Sequence, residues 1–245
     1  MSNEKKGVLA AFFAYAFWGG AFPLYWKLLE HVPSMEILLS RVIWSFVFTV
    51  LAVIVFRMRH DLVADLKYLW SHQKHFWQLA GASFVISMNW YLYIWAVTHN
   101  HLIETSLGYY INPLLSVIFG VIFFKESLSR AQWVATGIAF IAVIILTMNY
   151  GSVPWVALLI ALSFAIYGVL KKKITLDATR GLAIETLLIL PFALGYYVYL
   201  FATHQASFLH VDVKTDILMI FSGLVTAVPP LFYLRRGHKI YLYTY

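Results

Sequence analysis

The residues whose types and spacing could do chemistry lie between Asn89 and Pro113, in two apolar stretches joined by a short polar turn. Asn89 lies in the first stretch, and Glu104 and Asn112 lie in the second. Glu104, Gly108 and Asn112 follow one another at intervals of four residues, which places them along one side of a helix. This stripe of carboxylate, bare backbone and amide predicts either a hydrogen-bond network between helices or a path for a solute.

Two further charged residues, Arg41 and Glu185, interrupt other apolar stretches. A charge near the centre of a bilayer costs roughly 2.5–3.5 kcal/mol on insertion scales, so such residues face protein, water or a ligand. Arg41 keeps its proton and therefore needs an anionic partner or water. Three roles stay open for it: an ion pair with Glu104, a clamp for a substrate carboxylate, and extension of the side chain to the membrane interface.

Enzymatic chemistry has little support in this sequence. The 9 histidines lie mostly in predicted loops and never form the His-Glu-x-x-His pattern of zinc hydrolases, and cysteine is absent. The sequence also lacks a Gly-x-Ser-x-Gly motif and a phosphate-binding loop. We therefore expect no metal site, no cofactor and no enzymatic activity. A membrane-embedded enzyme that acts on lipid through interfacial histidines and acidic residues stays open as the alternative.

The composition places these residues in a membrane protein. Of 245 residues, 62% are hydrophobic and only 12% are charged, whereas a soluble domain has about 25% charged residues. The 9 Trp, 16 Tyr and 19 Phe residues are typical of aromatic belts at two interfaces. The apolar stretches do not alternate with polar residues as barrel strands do. The sequence predicts an all-α polytopic membrane protein.

Eight apolar stretches approach the roughly 20 residues that a helix needs to cross a bilayer. They cover residues 7–29, 36–56, 76–97, 103–124, 132–148, 153–170, 182–201 and 216–234. The longer connection between the second and third stretches, residues 57–75, has an amphipathic middle. We expect it to lie on the membrane surface.

The loop charges predict the orientation of the chain. Fifteen of the sixteen Lys and Arg residues outside the apolar stretches lie on one side, and only Lys214 lies on the other. Because cytoplasmic loops carry the excess of Lys and Arg, this distribution predicts a cytoplasmic N-terminus. It also accounts for the net charge of +7, so we expect no nucleic-acid partner.

Weak internal similarities recur in the same order along the chain. Phe17-Trp18-Gly19 in the first stretch is similar to Ile166-Tyr167-Gly168 in the sixth, which predicts a repeat of five helices. The first repeat covers residues 7–148 and the second covers residues 153–245. Because five is odd, the second repeat is inverted in the membrane, as in many secondary transporters. Two complete repeats need ten helices, so the second repeat appears in truncated form, with about three helices.

Several tracts resemble the RarD branch of the EamA, or drug/metabolite, transporter superfamily. The tracts are Tyr15-Ala16-Phe17-Trp18-Gly19, Arg41-Val42-Ile43-Trp44-Ser45, Asn89-Trp90-Tyr91-Leu92-Tyr93-Ile94-Trp95 and Glu104-Thr105-Ser106-Leu107-Gly108-Tyr109-Tyr110-Ile111-Asn112-Pro113. The resemblance implies ten helices in two inverted halves, the bacterial inner membrane and a permease, in a branch linked by name to chloramphenicol sensitivity. Residues 230–245 fit the branch poorly, which keeps an inactive truncated transporter open as a further alternative.

These observations together predict a secondary transporter that exports or exchanges a small metabolite or drug by alternating access. The predicted solute-contacting residues are Trp18, Asn89, Trp90, Tyr93, Gly108 and Asn112. The amides would orient the solute, while the aromatic rings would form apolar walls. Packing between helices is the commoner role of such aromatic residues. The predicted partners are the lipid bilayer, the solute and a second copy of the chain in a homodimer.

Overall fold

The computed structural model describes residues 22–234, with side chains up to residue 228. Every regular element in this part of the chain is an α-helix. The helices are α1 (Phe22–Lys27), α2 (Ser34–Val55), α3 (Arg59–Ser71), α4 (Gln73–Thr98), α5 (Leu102–Phe124), α6 (Arg130–Tyr150), α7 (Trp155–Lys171), α8 (Ala178–Ala202) and α9 (Val213–Leu234).

The helices form two compact units. Within the described residues, the first unit contains α1, α2, most of α3, α8 and α9, and the second unit contains α4 to α7. The first unit thus joins helices from both ends of the sequence. The predicted repeats, residues 7–148 and 153–245, follow a different division of the chain. The predicted repeats concern similarity between two parts of the sequence, whereas the compact units concern packing. The repeats therefore stay a prediction.

In the first unit, α2 packs against both α8 and α9. The two helices α2 and α9 approach closely at Gly223, where a Cβ atom would overlap the backbone of Trp44 and Ser45. One turn earlier, the Ser40 hydroxyl donates a hydrogen bond to the Met219 carbonyl at 3.1 Å. A glycine permits this approach because it brings no side chain into the contact.

In the second unit, α7 packs against both α4 and α5. Its apolar core includes Leu107 and Ile111 of α5 with Ala157 and Ala161 of α7. Gly108 lies at the centre of this contact, since a Cβ atom there would lie 3.1 Å from the Ala157 carbonyl oxygen. Small residues on both helices let the two backbones approach closely.

The outermost helix of the second unit is α6, which packs against α5. All 21 residues of α6 are described, and none of them is buried within the protein. It nevertheless begins with a capping box, in which the Ser129 hydroxyl accepts from Gln132 N and the Gln132 side chain accepts from Ser129 N. Apart from the side that contacts α5, this apolar helix is exposed, which suits contact with lipid.

The helices agree with the predicted class of all-α polytopic membrane protein. Seven of the predicted stretches coincide with α2 and with α4 to α9 within a few residues. The first stretch, residues 7–29, lies mostly outside the described residues. Within the described residues, four helices are long and apolar enough to cross a membrane, namely α2, α5, α6 and α8, while α7 is apolar but shorter. The number of eight crossings stays a prediction.

The predicted amphipathic connection, residues 57–75, contains α3. Arg180 at the start of α8 ties α3 into the first unit, since its Nη1 lies 2.9 Å from Asp65 Oδ2. Burial raises the pKa of Asp65 above its ordinary value, and the Arg180 charge opposes part of that rise. The position of α3 on the membrane surface stays a prediction.

Candidate functional site

Glu104 is held by a complete hydrogen-bond network inside the second unit. It is the third residue of α5 and is only 3% exposed. Its Oε1 accepts from the Tyr150 hydroxyl at 3.0 Å and lies 2.8 Å from His101 Nδ1, while its Oε2 accepts from Val156 N at 3.1 Å. Val156 lies in the first turn of α7, so a carboxylate satisfies an N–H group that the helix leaves unpaired.

The stripe of Glu104, Gly108 and Asn112 divides into two parts in the structure. Glu104 and Gly108 face α7, whereas Asn112 is half-buried and has its contact within α5. Each step of four residues rotates by about 400°, so eight residues displace a side chain by about 80° around the helix. The Glu104 and Gly108 part is therefore a helix contact, which was one of the two roles left open by the sequence.

Asn112 is the eleventh of the 23 residues of α5, close to its middle. The Ser116 hydroxyl donates to Asn112 Oδ1 at 3.4 Å. Within the described residues, the Asn112 Nδ2 group has no acceptor. Tyr109, Asn112 and Ser116 follow one another at intervals of three and four residues, so they line one side of the helix. This side carries amide and hydroxyl groups away from the contact with α7.

Asn89 has a structural partner that the sequence analysis did not identify. Its side chain is buried, and its Nδ2 donates to the Ile160 carbonyl at 2.8 Å and to Ser163 Oγ at 2.9 Å. Both acceptors lie on α7, so the amide joins α4 to α7. A signal for this contact was present, because Ser163 is a polar residue in the middle of its apolar stretch, as Asn89 is in its own.

The remaining predicted solute contacts are aromatic. Tyr93 is buried on α4, and the centroid of its ring lies 5.9 Å from that of Tyr109 in an edge-on arrangement. Such ring pairs are favourable packing contacts. Trp90 is half-buried on the same helix. Trp18 lies outside the described residues.

Arg41 is buried in the first unit, where α1 and α9 supply its contacts. Its Nε donates to Thr226 Oγ1 at 2.8 Å. Its guanidinium carbon lies 5.6 Å from the Phe22 ring centroid and 5.4 Å from that of Trp26, both within the range of a cation–π contact. Glu104 has partners of its own in the second unit, and the ion pair between Arg41 and Glu104 stays a prediction. Glu185, the third predicted charge, is buried in α8.

The sequence analysis did not identify Glu36 as a candidate residue. Glu36 is the third residue of α2 and is 1% exposed. Its Oε1 accepts from the backbone N–H groups of Ser207 at 2.8 Å and Phe208 at 2.9 Å. Its buried Oε2 has no hydrogen-bond partner within the described residues. An available signal was its place in the first turn of an apolar stretch, which Glu104 shares.

Metal ligation has no support in the part of the chain that the structure describes. It contains no group of three or more His, Asp or Glu side chains close enough to hold a metal ion. The geometry offers hydrogen-bonding groups and aromatic surfaces inside apolar helices. This combination is typical of membrane proteins that bind or conduct small solutes.

Comparison with known proteins agrees with this class. Residues 5–148 match the model of the EamA-like transporter family. The chain therefore belongs to this family of membrane transporters. Its membership indicates a transporter rather than an enzyme.

The similar proteins place the chain within the RarD branch of the family. It is 44% identical to the uncharacterized transporter YojE of Bacillus subtilis, over 99% of this chain and 80% of that protein. It is 41% identical to protein RarD of Streptomyces exfoliatus, over 99% of this chain and 76% of that protein. A third relative, the chloramphenicol-sensitive protein RarD of Pseudomonas aeruginosa, is 32% identical over 75% of this chain and 62% of that protein. No solved structure matches the chain significantly.

Proposed function

We propose that this chain is a secondary transporter that moves a small metabolite or drug across the bacterial inner membrane by alternating access. The observation that carries the proposal is the Asn112 amide, which lies near the middle of α5 with no acceptor for its Nδ2 among the described residues. An unpaired amide in hydrocarbon costs several kcal/mol. On this proposal the amide meets the solute there.

The solute-contacting surface on this proposal is the side of α5 that carries Tyr109, Asn112 and Ser116, together with Tyr93 of α4. Amide and hydroxyl groups fix the orientation of a solute, and the aromatic rings cover its apolar parts. Trp18 and Trp90 stay predicted members of the same surface.

Asn89 and Gly108 have supporting roles on this proposal. The Asn89 amide hydrogens are directed at Ile160 and Ser163, and Gly108 lies against the backbone of α7. These two residues fix the helices that carry the solute-contacting surface, so their substitution would disturb packing before it disturbed selectivity.

The name of the Pseudomonas aeruginosa relative suggests chloramphenicol as the first probe. The full chain, purified and reconstituted in liposomes, is expected to bind radiolabelled chloramphenicol and to give saturable flux. Asn112→Leu removes the hydrogen-bonding group and keeps the branched shape of the side chain, so binding should fall at least about ten-fold, which corresponds to about 1.4 kcal/mol for one lost hydrogen bond.

Asn149→Leu is the matched control. Asn149 lies on another apolar helix, α6, and its amide donates to the Ile145 carbonyl in its own helix. This variant should bind and transport as the parent does. Equal binding by the Asn112→Leu variant and the parent would contradict the proposed surface. Binding without flux by the parent is the result that the inactive alternative predicts.

The proposed orientation places the N-terminus and the connection between α7 and α8 in the cytoplasm, on the basis of the loop charges. The chain has no cysteine of its own, so a single introduced cysteine is the only thiol in the chain that the reagent can label. Cysteine at Ser152, between α6 and α7, should react with an impermeant thiol reagent added to intact cells. Cysteine at Thr175, between α7 and α8, should react only after the cells are opened. The reverse labelling would overturn the orientation.

A further inference from the structure

The apolar helix α6 is open to its surroundings on more than one side. Val143 packs against the core of α5 and α7, but no residue of the helix is buried. Met148 is 76% exposed, Ile138 is 64% exposed and Leu146 is 47% exposed, and these three follow one another at about 80° around the helix axis. A single partner helix would cover only one of these sides, whereas lipid covers every side that α5 leaves free.

Two exposed cations, Lys125 and Arg130, flank the connection between α5 and α6. Glu126, the one carboxylate of this connection, is paired with Lys172 at the end of α7. Neither Lys125 nor Arg130 forms an ion pair within the part of the chain that the structure describes. The start of α6 therefore carries two positive charges that need an anionic partner from outside this unit.

An open strip runs along α6 from its charged end. Residues at intervals of three and four share one side of a helix, and on this side they are Arg130, Trp133, Gly137, Ile141, Ile144 and Met148. The Trp133 side chain is 56% exposed, and a Cβ atom at Gly137 would meet nothing within 4 Å. The strip thus has a cation at its end, an indole one turn further and bare apolar surface beyond.

The aromatic residues near the two ends of α6 match the thickness of a bilayer. Trp133 and Tyr150 lie roughly 25 Å apart along the axis at 1.5 Å per residue, and no charged residue lies between them. The hydrocarbon core of a bilayer is about 30 Å thick, and Trp and Tyr are enriched at its two interfaces. Arg130, one turn outside Trp133, therefore lies at the level of the lipid phosphates when α6 crosses the membrane.

We propose that the charged end of α6 and its open strip form a binding surface for an anionic phospholipid. Lys125 and Arg130 attract the negative headgroup, the Trp133 ring lies at the boundary with the acyl chains, and one chain lies along Gly137. A headgroup with its own amine partly neutralises its phosphate, so the two cations favour a lipid with net negative charge. The loop charges explain the orientation of the chain, but orientation alone requires no preference for one lipid. This inference needs α6 to cross the membrane and does not need the proposed transport function.

Native mass spectrometry of the purified full chain in detergent tests this surface. Phosphatidylglycerol and phosphatidylcholine with the same acyl chains are titrated separately, and the ratio of their dissociation constants is the measured preference. The parent chain should prefer phosphatidylglycerol on the order of ten-fold, because each cation near an anionic headgroup contributes about five-fold. Glycerol phosphate carries the anionic group without acyl chains, and at millimolar concentration it should not compete.

Two double variants assign the preference to a place. Lys125→Gln with Arg130→Gln should lower the preference on the order of ten-fold, and both side chains are exposed, so folding should not change. Lys74→Gln with Lys173→Gln is the matched control, since it removes two exposed cations from the start of α4 and the end of α7 in the same unit. This control should keep most of the preference of the parent chain.

Four results would overturn the proposal. They are equal affinity of the parent chain for the two lipids, equal losses of preference in the two double variants, displacement of the lipid by glycerol phosphate, and a dimer that excludes phosphatidylglycerol. The second result would indicate a diffuse effect of charge, and the third would indicate a site for a free anion. The fourth would show that a second copy of the chain, rather than lipid, covers α6.

Discussion

Glu36 in the first unit and Glu104 in the second occupy the same position in their helices, the third residue of α2 and of α5. Both are buried, and both accept backbone N–H groups from a segment later in the chain. Glu104 also receives the Tyr150 hydroxyl and lies against His101, so both of its oxygens have partners. Among the described residues, Glu36 has one oxygen with two partners and one with none. Equivalent positions therefore have different partners: the Glu104 carboxylate joins two helices, whereas the Glu36 carboxylate holds the backbone of a connection.

Removal of the two carboxylates should give the largest difference in stability loss between the two sites. Glu104→Ala leaves the Tyr150 hydroxyl and Val156 N without their acceptor, so we expect a loss of about 3 kcal/mol in the free energy of unfolding. Glu36→Ala frees the N–H groups of Ser207 and Phe208, which lie in a partly exposed connection where water can replace the carboxylate, so the loss should be about 1–2 kcal/mol. Denaturant titration of the purified chain, followed by circular dichroism, measures both.

Glu30→Ala is the control for these two substitutions. Glu30 pairs with Lys27 at the surface, where both side chains are about half exposed, so its loss should change stability by less than about 1 kcal/mol. Equal losses for Glu36→Ala and Glu104→Ala would remove the distinction between the two sites.

The two close helix contacts offer a second, smaller contrast. Gly223→Ala in the first unit should cost about 2 kcal/mol, because the new Cβ meets the backbone of Trp44 and Ser45, which cannot move aside easily. Gly108→Ala in the second unit should cost about 1 kcal/mol or less, since its nearest contact is 3.1 Å and alanine is the better helix former by about 1 kcal/mol. Thermal unfolding of the two variants shows which substitution lowers the stability of the chain more.

Gly137→Ala is the matched control for the glycine contacts, because a Cβ atom at this position of α6 meets nothing within 4 Å. It should leave stability unchanged or raise it slightly. If Gly108→Ala proved more damaging than Gly223→Ala, the assignment of the closest approach to the first unit would be wrong.

The helices themselves could be predicted from the sequence because a long apolar stretch has few alternatives in a membrane. Seven predicted stretches agree with α2 and with α4 to α9 within a few residues. A hydrogen-bond network between helices at Glu104 was one of the two roles that the sequence left open, since a carboxylate in an apolar helix requires partners.

The partners themselves could not be predicted. Glu104 meets Tyr150 and Val156, about 50 residues further along the chain, and Glu36 meets Ser207 across more than two thirds of the chain. Spacing along one helix says which residues share a side, but it does not say which helix that side faces. The stripe of Glu104, Gly108 and Asn112 shows a second limit, because the rotation of about 40° per four residues separates its two ends.

Hydrogen exchange of three backbone amides tests the difference between the carboxylates most directly. The rates for Val156, Ser207 and Phe208 are measured in the parent chain and in the Glu36→Ala and Glu104→Ala chains, and each is divided by the intrinsic rate for that residue. The account predicts that Glu36→Ala lowers the protection of Ser207 and Phe208 and leaves Val156 protected, whereas Glu104→Ala lowers the protection of Val156 alone. Unchanged protection of Ser207 and Phe208 in the Glu36→Ala chain, or equal losses at all three amides in both variants, would contradict it.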